Sequence, residues 1–471
     1  MKFFNHFEKL GTDFFSKITP TPLTNSFVAA YSQSACELID FDPKDFSHPA
    51  FCQFTNPNFC NLAMLYTGHQ FGHFVPQLGD GRAALLAQVT NKKNQSWDLV
   101  LKGSGLTPYS RMGDGKAVLR SSIREFLISE AMHALGIPTS RALCLIASEQ
   151  KIHRDGMEKA AQIIRLAPSH VRFGTFEVFF YRKQNEQIKI LADYVIEQNF
   201  SQAQNQKNKY AAFLASVVES TAKLIAKWQA FGFCHGVLNT DNMSILGITF
   251  DYGPFGFLDT YNPHHICNHS DFEGRYSFAN QPAIGLWNLH AFAVTLSSLV
   301  SMEEQKEILA SYEKIFYEEY YELMARKLGF ESADEEVKKL THQILDLLER
   351  DQIDYTKFFR DLSAVDPVIR RGDKEREDFA KWYEAYFELL KTKNISEVAR
   401  KSLQNKSNPK FILRNHLLQT AIEKADLEND FSEVKKLQKI TENPFEEQNE
   451  YESYSSLPPA WAKEISISCS S

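Results

Sequence analysis

The sequence lacks the features that define several large protein classes. Its 471 residues contain only seven cysteines, and no two of them form a C-x-x-C pair, so no structural zinc site is predicted. No stretch reaches the roughly 18 uninterrupted apolar residues that a membrane-spanning helix needs. Lys and Arg form no basic stripe and the formal net charge is −7, so we predict no nucleic-acid partner.

The amino-terminal residues do not resemble a secretion signal. Glu8 and Asp13 stand inside "MKFFNHFEKLGTDFF", where a signal peptide would have its apolar segment. With neither a signal peptide nor a membrane helix in the sequence, we expect a cytoplasmic protein with no membrane partner, and we expect it to act as a monomer.

The composition that remains is that of an ordinary globular protein with an aromatic core. Hydrophobic residues make up 43% of the chain and charged residues 24%, and 37 phenylalanines are available for packing. The length allows two or three packed units. We predict an N-terminal wrapping arm, a nucleotide-binding N-lobe, a helical C-lobe and a C-terminal tail, which cover residues 1–60, 61–185, 186–440 and 441–471.

Strand patterns come first along the chain and helical patterns follow. Strands with one embedded helix, followed by a helical half, are the order of an α+β, bilobal, protein-kinase-like fold with a β-rich N-lobe, a key helix and a larger helical C-lobe. Ser121 or Ser122 is the predicted cap of the embedded helix. The predicted strands cover 82–89, 96–104, 141–148 and 161–167, and the predicted helices 121–136, 211–233 and 284–300.

The stretch "HGVLNTDNMSI", residues 235–245, looks like a kinase catalytic loop with one change. Asn242 falls where a metal-binding Asn belongs, but Val237 occupies the place of the catalytic Asp. Valine cannot accept a proton, so a kinase that used this position would be inactive. Asp241, five residues after Gly236, supplies a carboxylate that could act as the base from another direction.

Asp251 begins "DYG", nine residues after Asn242. In kinases this position holds the Asp of Asp-Phe-Gly, which binds Mg²⁺. Asn242 and Asp251 together offer two hard oxygen ligands, and phosphates and water would complete an octahedron around Mg²⁺. The spacing therefore predicts a metal site for a bound nucleotide.

Cationic side chains in the first half of the chain could hold phosphates. Lys102 ends a predicted strand, and Glu125, 23 residues later, lies in the predicted helix, as in the kinase pair that anchors ATP. The alternative is a surface lysine and a glutamate favoured by the helix dipole. Arg165 and Arg172 frame "RLAPSHVR" and are either phosphate ligands or solvated side chains.

Two glycine-rich stretches carry the same sequence theme. "GDGRAALL" places Gly79 and Gly81 around an aspartate ahead of Arg82, and "GDGKAVLR" repeats the theme with Asp114 and Gly115. Glycines let backbone N–H groups approach phosphate oxygens, and arginine offers a fork of donors. The first stretch is equally compatible with a plain hairpin turn.

Long motifs in this chain resemble the selenoprotein O family, also called the YdiU family. They are "GHQFGHFVPQLGDGRA", "LKGSGLTPYSRMGDGKAVLRSSIREFLISEAMHALGIPTSRA", "APSHVRFGTFE" and "HGVLNTDNMSILGITFDYGPFGFLD". The resemblance runs from about residue 10 to the end, where "CSS" matches the position at which animal members carry selenocysteine. It implies a pseudokinase fold that transfers AMP from ATP to Ser, Thr or Tyr hydroxyls of proteins, with ATP reversed relative to kinases.

The resemblance also implies a role for each matching residue. Asp241 is the proton acceptor, and Asn242 and Asp251 hold Mg²⁺ or Mn²⁺. Cys267 and Cys469 are implied to form a redox link; from its position alone, Cys469 is either an exposed, oxidisable thiol or an incidental tail residue. Lys102 is implied to contact phosphate and pair with Glu125, and the nucleotide-lining residues are Gly79, Gly81, Arg82, Asp114, Gly115, Arg165, Arg172 and Asp251.

Small departures from the family pattern concern "MGDG", where "FADG" or "FSDG" is more typical, and Lys116, where Arg is usual. They leave any role of Met112 or Gly113 open.

Three functions remain to be compared. They are a protein adenylyltransferase, an ATP-dependent phosphotransferase that uses Asp241 as base, and a catalytically silent nucleotide-binding scaffold.

Overall fold

An antiparallel sheet of nine strands is built from residues 2 to 167. The computed structural model describes residues 2–48, 51–154, 156–365 and 377–468. The strands of this sheet are β1 (Lys2–Phe3), β2 (Phe15–Lys17), β3 (Phe27–Tyr31), β4 (Leu62–Met64), β7 (Ala83–Thr90), β8 (Ser96–Lys102), β9 (Ala117–Val118), β10 (Arg141–His153) and β11 (Met157–Ala167), and two short pairs lie outside it, β5 (Gly68–Gln70) with β6 (His73–Val75) and β12 (Phe233–Cys234) with β13 (Gly256–Phe257).

The main path through the sheet runs β2-β4-β7-β8-β11-β10-β3, while β1 pairs with β7 and β9 with β11. Three strands of this sheet, β1, β2 and β3, come from the first 60 residues, the segment expected to wrap as an arm. The predicted strands at 82–89, 96–104, 141–148 and 161–167 correspond to β7, β8, β10 and β11, and the α+β class is confirmed.

Both faces of the sheet are covered, which explains why β7 is apolar at nearly every position. Leu85 packs into one core with Ile123 and Phe126 of the following helix. Its neighbour Leu86 points to the opposite face and into a second core with Cys36. Because neighbouring strand residues face opposite sides, a strand buried on both sides has no polar alternation.

The helix that carries Glu125 is α2, Leu119–Ala134, and it begins two residues before the predicted start. The predicted serine caps are wrong: Val118 occupies the N-cap position, because β9 runs directly into the helix. Ser121 Oγ instead donates to the carbonyl oxygen of Val118, 3.2 Å away, and Ser122 is buried inside the helix.

After residue 172 most regular elements are helices, although the segment between α6 and α7, which carries Asp241 and Asp251, is largely without regular structure. Asn208 caps the long helix α6 by accepting from the N–H groups of Tyr210 and Ala211, and Gly232, in the left-handed region at φ +68°, ends it. The helices besides α2 are α1 (Gln33–Leu38), α3 (Phe173–Tyr181), α4 (Asn185–Asn199), α5 (Ser201–Gln204), α6 (Lys209–Phe231), α7 (Gln281–Thr295), α8 (Met302–Leu328), α9 (Glu335–Arg350), α10 (Tyr355–Asp361), α11 (Glu377–Thr392), α12 (Glu397–Ser407), α13 (Asn415–Leu427) and α14 (Ser432–Thr441).

Among the described helices, none combines the length and apolar content required to cross a lipid bilayer.

The helical part contains one unusual buried charge. Lys327 of α8 is 3% exposed, and its ammonium lies 4.6 Å from the ring centre of Phe359, 5.4 Å from that of Tyr355 and 5.5 Å from that of Phe231. Burial lowers the pKa of this lysine to about 7.

Candidate active site

Charged side chains from both parts of the chain meet in one connected network. Lys102, at the end of β8, contacts the carboxylate of Glu125 from α2. Glu125 Oε1 also accepts from Arg165 on β11, at 3.1 Å. Arg165 and Arg172 each place a guanidinium nitrogen 2.5 Å from one oxygen of Asp251. The structure thus brings together five of the residues that the sequence predicted to form the site.

This network holds more positive than negative charge in a nearly closed environment. Three cations meet two carboxylates, and the side chains of Arg165, Arg172 and Glu125 are 3% exposed or less. Asp251 is the most open member, with 22% of its side chain exposed. The buried carboxyl groups of Asp80 and Asp241 also interact electrostatically with Arg172, and the three cations open to solvent mainly beside Asp251, which suits the network to a polyanionic ligand that approaches there.

Asp251 is held in place by both its backbone and its partners. Its φ of +58° lies in the left-handed region, an uncommon conformation for a residue with a side chain. Burial would raise the pKa of this carboxyl, but Arg172, Arg165 and Lys102 outweigh that effect and hold the pKa well below its usual range. The carboxylate is therefore ionised at neutral pH.

Asp241 has the features of a general base. It is 7% exposed, and Gln70 Nε2 donates to its Oδ2 at 3.0 Å, while the buried Oδ1 has no hydrogen-bond partner. Burial raises the pKa of Asp241 to about 7. A carboxylate with one oxygen held and the other without a hydrogen-bond partner keeps one oxygen that can accept a proton.

Asp241 and Asp251 are neighbours, since one nitrogen of Arg172 donates to both. It lies 2.7 Å from the main-chain oxygen of Asp241 and 2.5 Å from Oδ2 of Asp251. The peptide bond of that oxygen leads directly into Asn242. Asn242 Nδ2 donates to the carbonyl oxygen of Val237 at 3.0 Å. The side chain of Val237 is apolar and buried.

Two side-chain oxygen ligands, from Asn242 and Asp251, are available for a hard divalent cation. The described residues contain no group of three or more His, Cys, Asp or Glu side chains arranged around a metal position. Asn242 and Asp251 offer one amide and one carboxylate oxygen on adjoining segments, the oxygen type that Mg²⁺ and Mn²⁺ bind. Both oxygens of Asp251 accept from arginines here, so an ion would replace at least one of these bonds.

The first glycine-rich stretch forms a tight turn against a neighbouring loop. A Cβ atom at Gly79 would lie 2.5 Å from the ring of Tyr109, and one at Gly81 would lie 2.8 Å from the Tyr109 carbonyl oxygen. Glycine is therefore required at both positions, because any side chain would clash with Tyr109. Arg82 is exposed, and its charge contributes to the lowered pKa of Lys102, for which burial is the largest cause.

The second glycine-rich stretch has its own partners. Asp114 accepts from Arg154 at 2.7 Å and from the N–H of Lys116 at 3.0 Å, and none of its described contacts is to the Asp251 network. Gly115 has φ +71°, and a Cβ atom there would lie 2.0 Å from the Gly105 carbonyl oxygen. Nucleotide contacts at these two residues remain a prediction.

Of the predicted redox pair, Cys267 and Cys469, the structure describes Cys267. Cys267 is buried, its thiol is free, and burial raises its pKa well above the usual value. Cys469 lies outside the described residues. The chain just before it is docked, because Ile467 N donates to Nδ1 of His269 at 3.2 Å and His269 N donates to the Ile467 carbonyl at 2.9 Å.

Sequence reasoning missed the residues that support Asp241. Gln70 lies in the motif "GHQFGH", which carried the family resemblance without an assigned role. His69 N donates to Thr240 Oγ1 at 2.7 Å, and Thr240 donates to the buried Glu177 at 3.1 Å. No local pattern reveals these contacts, since they join residues more than 60 positions apart.

Comparisons with known proteins identify the family of this chain. The family model described as "Protein adenylyltransferase SelO" matches residues 1–442. Similar proteins, each named protein nucleotidyltransferase YdiU, come from Pseudomonas fluorescens strain Pf-5, at 48% identity, and Pseudomonas putida strain GB-1, at 46% identity. Both alignments cover 100% of this chain and 99% of the relative. The chain belongs to the protein adenylyltransferase SelO family.

Proposed function

We propose that the network around Asp251 is the active site of a protein adenylyltransferase that transfers AMP from ATP to Ser, Thr or Tyr hydroxyls of proteins. The observation that carries the proposal is the buried cluster of three cations beside a carboxylate that is 22% exposed, with the oxygen of Asp241 that lacks a hydrogen-bond partner nearby. Family membership supports the same activity, because the matching family is described as a protein adenylyltransferase.

Asp241 accepts the proton of the acceptor hydroxyl through Oδ1. The acceptor oxygen then attacks the α-phosphorus, the bond from that phosphorus to the α,β-bridging oxygen breaks, and pyrophosphate leaves. General-base assistance of this kind contributes typically 10²- to 10⁴-fold to a rate. Val237, at the usual kinase base position, takes no part.

Lys102, Arg165 and Arg172 hold the phosphates. Their charges match the anionic groups of ATP, and Glu125 fixes both Lys102 and Arg165 while their ammonium and guanidinium groups stay directed into the site. In the proposed orientation the β- and γ-phosphates lie against the arginines, which leaves the α-phosphate nearest Asp241. Gly79, Gly81, Arg82, Asp114 and Gly115 form the outer wall of the nucleotide site.

Asn242 and Asp251 are the proposed ligands of Mg²⁺ or Mn²⁺. A divalent ion there would neutralise phosphate charge and orient the triphosphate. Arg165 and Arg172 each donate to one oxygen of Asp251, and a guanidinium displaced by an ion there would be available to a phosphate oxygen.

The overall arrangement we propose is bilobal and kinase-like. The sheet with α2 forms one lobe and the helices after residue 172 form the other, with the nucleotide between them. Two contacts support this view: Arg165 of the sheet binds Asp251 of the helical part, and Arg124 of α2 donates to the Phe255 carbonyl at 2.8 Å.

ATP labelled on either the α- or the γ-phosphate tests the activity. The expected result is label on protein from the α-position only, and its loss in Asp251→Ala. The matched control is Asp193→Ala, which removes an aspartate that forms ion pairs with Lys189 and Lys209 away from the network. The unfolding midpoint of each variant, measured alongside, separates lost chemistry from lost folding.

Other labelling patterns would select the competing functions. Label from the γ-phosphate only would identify a phosphotransferase, and label from neither position would identify a nucleotide-binding scaffold. Incorporation that persists in Asp251→Ala would contradict metal-dependent transfer at this site.

A further inference from the structure

A short hairpin, β5–β6, lies directly beside the proposed base. Gln70 contacts Asp241, as described above, and a Cβ atom at Gly68 would lie 2.5 Å from Asp241 Oδ1. The N–H of Phe71 donates to the hydroxyl of Tyr276 at 2.9 Å, which ties the turn of the hairpin to the segment that follows the "DYG" motif. Any acceptor that reaches Oδ1 must therefore pass this hairpin.

Aromatic rings continue outward from the hairpin. His69 lies 5.3 Å from the ring of Trp287 and 5.3 Å from that of Phe74, which in turn lies 3.8 Å from Tyr181. The outermost rings are open to solvent, with exposures of 36% for Phe71, 47% for Tyr181 and 37% for Trp287. Large aromatic side chains in one exposed patch are typical of a binding surface.

A cation without an acidic partner completes this patch. The guanidinium of Arg275 lies 4.9 Å from the ring centre of Trp287, and a Cβ atom at Gly72 would lie 3.4 Å from its central carbon. Arg275 forms no ion pair within the described ranges of the chain, and its buried Nε has no hydrogen-bond partner. A guanidinium stacked on an aromatic ring and left unpaired is arranged to receive a carboxylate.

We infer that Phe71, Tyr181, Trp287 and Arg275 form the docking surface for the protein acceptor, here called the acceptor face. Its occupant is an extended acidic polypeptide segment that carries the target hydroxyl. The argument rests on the proposed function, because it takes Asp241 as the base. Two observations support this occupant: the surface is continuous with Asp241 through Gln70, and its unpaired charge is positive.

The geometry also sets the distance between the acidic side chain and the target hydroxyl. Gln70, at Asp241, and Gly72, over Arg275, lie in the tight turn of the hairpin, where Gln70 pairs with His73, so they are no more than roughly 7 Å apart. An extended acceptor, at about 3.3 Å per strand residue, covers that distance in about two residues. The acidic side chain is therefore expected about two or three positions from the modified Ser, Thr or Tyr.

Synthetic peptides of one central Ser, Thr or Tyr, with Asp, Gln or Lys placed two or three positions away, test this directly. Full-length enzyme is assayed for AMP transfer from α-labelled ATP. The expected result for wild type is a KM at least about tenfold lower for Asp peptides than for Lys peptides, with similar kcat. Arg275→Glu should reverse this preference.

Matched variants separate docking from folding. Arg326→Glu makes the same charge change at an exposed arginine of α8, and Trp461→Ala matches Trp287→Ala at a similarly exposed ring. The expected result is a raised KM for peptides in Trp287→Ala, unchanged KM in both controls, and unchanged ATP binding in all four. If Arg275→Glu lowers the KM for Lys peptides, the variant must be folded, because a misfolded protein would not bind any peptide more tightly.

Three outcomes would overturn the acceptor face. Wild-type transfer with equal KM for Asp and Lys peptides would remove the role of Arg275. A Trp287→Ala variant that changes only the oligomeric state would make the patch a contact between copies of this chain. Wild-type transfer to no peptide, with ATP still bound, would count against the proposed function itself and would remove the acceptor face with it.

Discussion

Replacement of Lys327 by methionine is expected to stabilise the protein at neutral pH. Lys327 lies among three aromatic rings and forms no ion pair with any described carboxylate. Methionine has a similar length, is apolar and adapts to irregular spaces, so Lys327→Met removes the buried charge with little change in volume.

The size of the effect follows from the pKa of the lysine. Burial lowers it from 10.5 to about 7, and at roughly 1.4 kcal/mol per pH unit this corresponds to about 5 kcal/mol of destabilisation below pH 7. Cation–π attraction to the rings returns part of this, on the order of 2 kcal/mol in total. The expected gain for Lys327→Met near pH 6.5 is therefore about 3 kcal/mol.

The pH dependence has a definite sign. Because the pKa is lower in the folded state than in the unfolded state, the unfolded chain binds more protons between about pH 7 and 10.5. Wild-type stability from this residue therefore rises through that window, since the native lysine loses its proton first. The gain in the free energy of unfolding from Lys327→Met is therefore largest below about pH 7 and disappears near pH 10.5.

Urea unfolding of both proteins at pH 6.5, 8 and 9.5 measures the difference, and other titrating groups cancel in the comparison. Lys306→Met, at an exposed position of the same helix, is the control and should show no pH-dependent gain. If Lys327→Met is less stable than wild type at all three pH values, the rings stabilise the ammonium by more than its desolvation costs, and the reasoning fails.

Two further predictions concern the active site and the C-terminal segment. Asp241→Asn should lower AMP transfer by about 10²- to 10⁴-fold and leave ATP affinity unchanged, because its unengaged oxygen serves the acceptor; a parallel loss of ATP binding would contradict that assignment. Oxidation should join Cys267 and Cys469 in a reducible crosslink, which peptide masses with and without reductant would reveal. Identical masses under both conditions would refute the redox pair.

Local patterns predicted the secondary structure well where burial and turns act over short distances. Strand β7 and helix α6 fall within two residues of their predicted ends, because apolar runs act locally, although the predicted helix ran past Gly232, whose left-handed conformation ends it. The start of α2 was wrong for a long-range reason. Pairing of β9 with β11 holds Ala117 and Val118 extended up to the first helical residue, which leaves both serines inside the helix.

Site residues divide in the same way. The spacing of His235, Asn242 and Asp251 predicted a kinase-like loop, since these residues lie on one short stretch of chain. The contact of Arg172 with both Asp241 and Asp251 joins residues 69 and 79 positions apart. The role of Gln70 was invisible for the same reason: its partner is 171 residues away.

The order of residues along the chain was enough to identify the family, the types of chemical group at the site and most of the strands and helices, because each depends on neighbours in sequence. Only the folded chain decides which charges meet and which remain unpaired. Arg165 and Arg172 are ordinary arginines in sequence, and they become candidate phosphate ligands because folding buries both of them against Asp251. Arg275 becomes a candidate recognition group because folding places its guanidinium over an aromatic ring without an ion pair to any described acid, while its main-chain N–H donates to Asp271.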